Sequence, residues 1–178
     1  MFRSAKSLAA VSALLLAFGV LSPSAQSVAA TNTATKGIAV DESHTVQIHV
    51  TANCVRAENR CYFDTLADVL TPDGTTGFPS DFYGRQNTTI RSTNRLVYMD
   101  ADFDAPNTRM FKSISDTEFA TVYFAGNPPV MRGDARTVQF ETGQPNTDAG
   151  FIACAYIQVV YGGINLTTPT ACAQTTYA

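Results

Sequence analysis

The sequence predicts an all-β chain, an antiparallel β-sandwich or small barrel of about seven strands closed by two disulfides. Three observations carry that expectation. Apolar and polar residues alternate with period two in several separate segments, clusters of Gly, Pro and Asn punctuate them, and four cysteines follow an export-like start. A chain of 178 residues suits one domain. Only 15% of it is charged, well below the ~25% usual in soluble domains. With 10% aromatics, that composition excludes a charged disordered tail. It also excludes a coiled coil, which needs Glu/Lys/Leu-rich heptads.

The first 30 residues read as a signal peptide. Arg3 and Lys6 form a basic start, Leu8 to Leu21 (LAAVSALLLAFGVL) is uncharged, and Val28-Ala29-Ala30 fits the small-residue cleavage rule. An apolar run of that length falls short of the ~20 residues a spanning helix needs, so no transmembrane segment is expected after cleavage. Removing residues 1–30 takes both basic residues with it and leaves 10 basic against 15 acidic residues. An acidic chain is a poor match for nucleic acid, whose phosphates call for a basic surface. The expected location is secreted, extracellular or associated with the cell envelope.

Residues 31–44 open with TNTATKG and read as a flexible leader to a single β-rich domain over 45–178. From Thr45 to Cys54 the alternation is regular: Val46, Ile48, Val50, Ala52 and Cys54 face one way, Gln47, His49, Thr51 and Asn53 the other. Tyr62 to Leu70 fits helical spacing through Phe63, Leu66, Ala67 and Leu70, and fits a strand equally well. Thr71-Pro72-Asp73-Gly74 turns the chain. Arg95 to Phe103 alternates again with Val97, Met99, Ala101 and Phe103 inward. Glu118 to Ala125 is apolar on both faces, as in a central strand. Thr137 to Glu141 places Val138 and Phe140 inward. Phe151 to Tyr161 is the most apolar stretch after residue 30, and Gly162-Gly163 ends it. Residues 166–176 add a short edge strand broken by Pro169.

Cys54, Cys61, Cys154 and Cys172 form an even set in an exported chain, which reads as two disulfides with three possible connectivities. Nearest-neighbour pairing, Cys54–Cys61 and Cys154–Cys172, is the favoured one. Closing loops of about 8 and 19 residues contributes roughly 2.5 and 3.2 kcal/mol by the chain-entropy formula. The spacings lack the short C-x2–4-C step of zinc knuckles, and no thiol is left over for catalysis.

The segments Thr51–Thr65 (TANCVRAENRCYFDT) and Phe151–Pro169 (FIACAYIQVVYGGINLTTP), with the Ala-rich start, resemble small uncharacterised secreted proteins of actinobacteria with no assigned activity. The resemblance implies export and a disulfide-bonded β domain, and it carries over no functional residue.

Four features are candidate sites. Asp100, Asp102 and Asp104 share a strand face at about 6.6 Å spacing and make an acidic stripe whose oxygens suit calcium, although Ala105 and Phe111 stand where an EF-hand needs Gly and Glu. The long connection 72–92 offers Phe78, Phe82 and Tyr83 as a binding loop for a ligand or protein. The segment from Gly126 to Asp134 reads as an exposed hairpin turn containing Arg132-Gly133-Asp134, the tripeptide that integrins read. Asn87-Thr88-Thr89 and Asn165-Leu166-Thr167 match the N-glycosylation pattern. His44 and His49 are the two histidines, and neither G-x-S-x-G nor H-E-x-x-H occurs. The expected role is that of a non-catalytic β-sandwich acting by protein or ligand binding through its loops, with no cofactor beyond that calcium. A small extracellular hydrolase using surface carboxylates or His49 is one alternative. A secreted inhibitor or effector presenting the 72–92 loop is the other.

Overall fold

The computed structural model describes residues 31–124 and 129–178, so the signal peptide expected over 1–30 lies outside the described residues. The described chain is all-β and forms two six-stranded antiparallel sheets. Sheet A runs in the order β1 (Asn32–Ala39), β2 (Thr45–Val55), β3 (Arg60–Thr71), β9 (Val130–Gln139), β6 (Val97–Asp104), with short β4 (Gly74–Thr76) beside β3. Sheet B runs β11 (Ile164–Thr167), β10 (Phe151–Tyr161), β5 (Tyr83–Ser92), β8 (Asp116–Phe124), β7 (Thr108–Lys112), with β12 (Ala171–Thr175) also on β10. The long central strands β2, β3, β5, β8 and β10 bury alternate side chains between the sheets, as a sandwich requires.

The core centres on four phenylalanines, two from each sheet. Phe63 lies 5.6 Å from Phe119 and 6.3 Å from Phe151, and Phe103 sits edge-on to Phe119 at 5.3 Å, measured between ring centroids. These distances fall in the favourable range for tilted and edge-to-face pairs. Phe63 faces Gly133 across the β3–β9 ladder, where a Cβ on Gly133 would stand 2.4 Å from its ring and 2.8 Å from the Asp102 carbonyl. The absent side chain is the seat of the ring. Polar residues also line the interior: Gln86 is fully buried and donates to Thr65 Oγ1 at 2.6 Å and Thr88 Oγ1 at 3.0 Å.

Both disulfides join residues directly opposite each other in antiparallel pairs, Cys54 with Cys61 and Cys154 with Cys172. Nearest-neighbour pairing is therefore the one present. Their surroundings differ. Cys54 and Cys61 are fully buried, whereas Cys154 and Cys172 lie on the outer face of sheet B, with Cys172 exposed.

Several segments depart from the sequence reading. Residues 31–44, expected as a flexible leader, contain β1, which pairs with β2 over its whole length, followed by a turn. β1 buries little, only Ala34 and Ile38 in part, which is why hydrophobic content did not reveal it. The ambiguous stretch 62–70 is strand β3, with Phe63, Thr65, Ala67 and Val69 inward and Leu66 and Leu70 outward. β8 lies inside sheet B between β5 and β7, as expected of a central strand, with Phe119, Thr121 and Tyr123 inward and Ala120, Val122 and an exposed Phe124 outward. In β9 the phase is opposite to expectation. Thr137 is inward, bonded to Tyr177 Oη and to the Asn146 carbonyl, while Phe140 is 45% exposed. Val138 points outward yet is buried, because the chain returns over it and bridges it to Pro145. Pro169 divides the last segment into two strands, β11 and β12, that share one edge of β10.

Replacing Gly133 by Ala is expected to destabilise the protein by about 1–3 kcal/mol, the usual cost of overpacking, measured as a lowered midpoint in urea. Mild reductant applied to the native protein is expected to open Cys154–Cys172 before Cys54–Cys61. Alkylation followed by mass mapping of the cysteines reads the order. Tyr123 is buried, and desolvation raises its phenol above the ordinary value near 10. The folded state thus holds this proton where the unfolded chain releases it, so its contribution to stability is intact below pH ~10 and is lost above it. Tyr123→Phe is expected to flatten the alkaline decline seen in thermal melts above about pH 10.

Candidate functional site

Alternation decides which residues face solvent on sheet A. With Phe63, Thr65 and Ala67 inward, Tyr62, Asp64, Leu66 and Asp68 of β3 point out; with Met131 and Ala135 inward, Arg132, Asp134 and Arg136 of β9 point out. On β6, Asp100, Asp102 and Asp104 point out, as the sequence predicted. The register sets Tyr62 and Asp102 on either side of Asp134, Asp64 and Asp104 on either side of Arg132, and Asp100 beside Arg136. The result is a chequered grid of carboxylates and guanidinia across three strands, with a shallow depression of about 350 Å³ over Tyr62, Asp64, Asp102, Asp104, Arg132 and Asp134.

The charges in the grid are unevenly matched. Arg136 donates to Asp100 at 2.7 Å, Arg132 lies 3.4 Å from Asp64, and Arg60 pairs with Asp134. Lys112 reaches Asp100 from the other sheet at 4.0 Å. Asp102 and Asp104 enter no ion pair among the described residues, and Asp102 stands directly opposite Asp134. Like charges facing each other across a ladder are destabilising. The Asp trio does not converge on one point, and among the described residues no three His, Cys, Asp or Glu side chains are close enough to hold a metal ion.

Nearer the β1 edge of the same face, the His49 Nδ1 lies 2.9 Å from Thr35 Oγ1 and its Nε2 lies 3.2 Å from Asp68. Hydroxyl, imidazole and carboxylate are thus in line across β1, β2 and β3, on an open sheet surface. His44 sits in the β1–β2 turn, where Asp41 accepts from the backbone N–H groups of Ser43 at 2.7 Å and His44 at 2.8 Å. The Ser43 backbone bond, then the His44 side chain, hold the Asp41 carboxyl below its ordinary range.

The 72–92 connection is not one loop, because β4 and β5 occupy much of it. Phe78 and Phe82 are 7% and 3% exposed, stacked on each other at 4.2 Å, with Tyr161 edge-on to Phe78. They plug one end of the sandwich and do not present a grip. Tyr83 points outward on β5 and contacts Phe124. Arg132-Gly133-Asp134 lies inside β9 and not in an exposed turn. Asn87 is mid-strand in β5 and donates to Glu118 and Tyr156, while Asn165 is exposed on β11.

The sequence reading missed Thr35 and Asp68 as partners of His49, and Arg132, Asp134 and Arg136 as part of the acidic face. The second group was detectable: the three recur at every second residue, which is a strand signal.

No family model matches the chain, and no curated protein matches it. Among solved structures, one described as "pH-induced modulation of Streptococcus parasanguinis adhesion by Fap1 fimbriae" is similar with a TM-score of 0.45 and 9% identity, over 84% of this chain and 94% of that one. A second, described as "Pore forming protein", has a TM-score of 0.23 and 8% identity, over 83% and 87%.

Removing the cap of the first turn by Asp41→Ala is expected to loosen β1. The carboxylate's stabilisation is present above the unfolded-state value near 4 and fades as pH falls. The variant should therefore lose hydrogen-exchange protection over residues 32–39 at neutral pH, and differ less from the parent at pH ~3.

Proposed function

We propose that the protein is an exported β-sandwich that works by contact, without catalysis, through its open sheet faces. The disulfides support an oxidising compartment, and no described helix is long and apolar enough to cross a membrane. The observation that carries the contact reading is the chequered grid of sheet A. Its charged side chains lie on a broad surface held by cross-strand pairs, and they are not gathered around a cleft where a small substrate would be enclosed. Asp102 and Asp104, exposed and without a cation of their own among the described residues, are the groups with most to gain from a basic partner. On this reading the working surface lies on strands, whereas the sequence alone suggests loops.

One arrangement favours a second reading, a small extracellular hydrolase. Thr35, His49 and Asp68 follow the order of nucleophile, base and orienting acid. In that reading His49 Nδ1 takes the proton of the Thr35 hydroxyl as its oxygen adds to an ester carbonyl, then gives that proton to the departing alcohol oxygen as the C–O bond breaks, and water hydrolyses the acyl-threonine.

A single experiment separates the two. Chromogenic esters, amides and glycosides are incubated with the parent protein, Thr35→Ala and His49→Ala, with melting temperatures checked. The contact reading expects no turnover that either variant abolishes. Turnover that falls by about 10²–10⁴ in His49→Ala, the usual share of a general base, in a protein of unchanged stability replaces it with the hydrolase.

A further inference from the structure

The two outer faces of the sandwich carry opposite charge. On sheet A, six aspartates stand against three arginines, and the arginines are taken up by Asp64, Asp100 and Asp134. On sheet B, Arg85 and Arg91 of β5 and Arg109 of β7 point out, and Arg95 joins them from the β5–β6 turn. Among the described residues of β5, β7 and β8, Asp116 and Glu118 of β8 are the acids that oppose them on that face. Arg91 and Arg95 both lie near Asp116, at 3.9 and 3.7 Å, and Glu118 accepts from Asn87. Arg85 and Arg109 enter no ion pair among the described residues.

The uncommitted charges have matching settings. Arg85 is opposite Val122 and Arg109 is opposite Ala120, so the two guanidinia flank a small apolar strip of β8. On the other face, Asp102 and Asp104 border a grid in which Tyr62 and Leu66 are exposed. Each face thus offers apolar surface edged by unpaired charge, of one sign on sheet A and the other on sheet B. Opposite charges brought face to face attract, and like-charged faces brought together repel.

We propose that the protein associates head to tail with further copies of itself, the outer face of sheet A in one copy lying on the outer face of sheet B in the next. Such a contact is heterologous: it leaves an acidic face free at one end and a basic face at the other, so it extends to more than two copies. The proposal rests on the contact reading above and names the partner.

Sedimentation velocity of the purified, disulfide-intact protein tests it, over a concentration series at about 20 mM and about 300 mM salt, where the screening lengths differ several-fold. Larger species should form with concentration at low salt and disappear at high salt. Asp102→Lys with Asp104→Lys makes both faces basic, and Arg85→Glu with Arg109→Glu makes both acidic. Each variant alone should stay monomeric, and an equimolar mixture should associate again. Circular dichroism melts verify folding. If a reversal unfolds the chain, Asp102→Asn with Asp104→Asn, or Arg85→Gln with Arg109→Gln, should weaken association by about tenfold or more. A parent protein that is monomeric throughout, association indifferent to salt or to these variants, or a mixture that fails to reassociate overturns the proposal. A monomeric parent without catalytic turnover removes self-association and leaves contact with a foreign partner standing, whereas the turnover described above removes the contact reading itself.

Discussion

The packing of the Phe63 ring over Gly133, between Phe119 and Phe151, is the constraint on which the remaining structure depends. It joins β3 to β9 within sheet A and sheet A to sheet B at one point. Because side chains alternate strictly along a strand, burying Phe63 obliges Tyr62 and Asp64 to face water. The close approach at Gly133 fixes β9 in the same way and sends Arg132 and Asp134 outward. The charged grid is therefore a consequence of the core: shifting β3 by one residue would bury Asp64 and expose the ring, and shifting β9 would bury Arg132 and Asp134.

The elements that were legible in the sequence are those with one apolar and one polar face. β2 and β6 show this, with Val46, Ile48 and Val50 in one and Val97, Met99 and Ala101 in the other, and both have the expected phase. What failed did so for identifiable reasons. β1 has almost no apolar stripe because it is an edge strand covering the sandwich margin. In β9 an inward threonine satisfied by Tyr177 and Asn146 looked like a surface residue, and Phe140 beyond the strand's end looked like core. Those hydrogen-bond partners lie 9 and 40 residues away in sequence. Local pattern contains no record of such partners. Phe78 and Phe82 read as a binding loop because turn residues surround them, while Tyr161, which packs edge-on against Phe78, lies at the far end of β10.

The candidate site shows the same division. The outward phase of Asp100, Asp102 and Asp104 followed from β6 alone. That Arg136 neutralises one of them and Asp134 opposes another follows from the order of strands, which brings β9 between β3 and β6 across a large gap in the chain. The Thr35–His49–Asp68 line likewise needs β1, β2 and β3 to be neighbours. Charge sign per strand was readable, and charge balance per face was not.

The position of the outer disulfide bears on how the molecule responds to load. Cys172 is joined to the residue directly across from it in β10, a strand that is paired on both sides. Tension applied at the C-terminal end can therefore straighten only the residues beyond Cys172, and it draws Tyr177 from the core as it does so. It then passes through the covalent bond into Cys154, in the interior of sheet B. Further extension has to shear a whole strand against its neighbours, where an unlinked β12 would have peeled one hydrogen bond at a time. The fold thus has a mechanical stop built into its last strand.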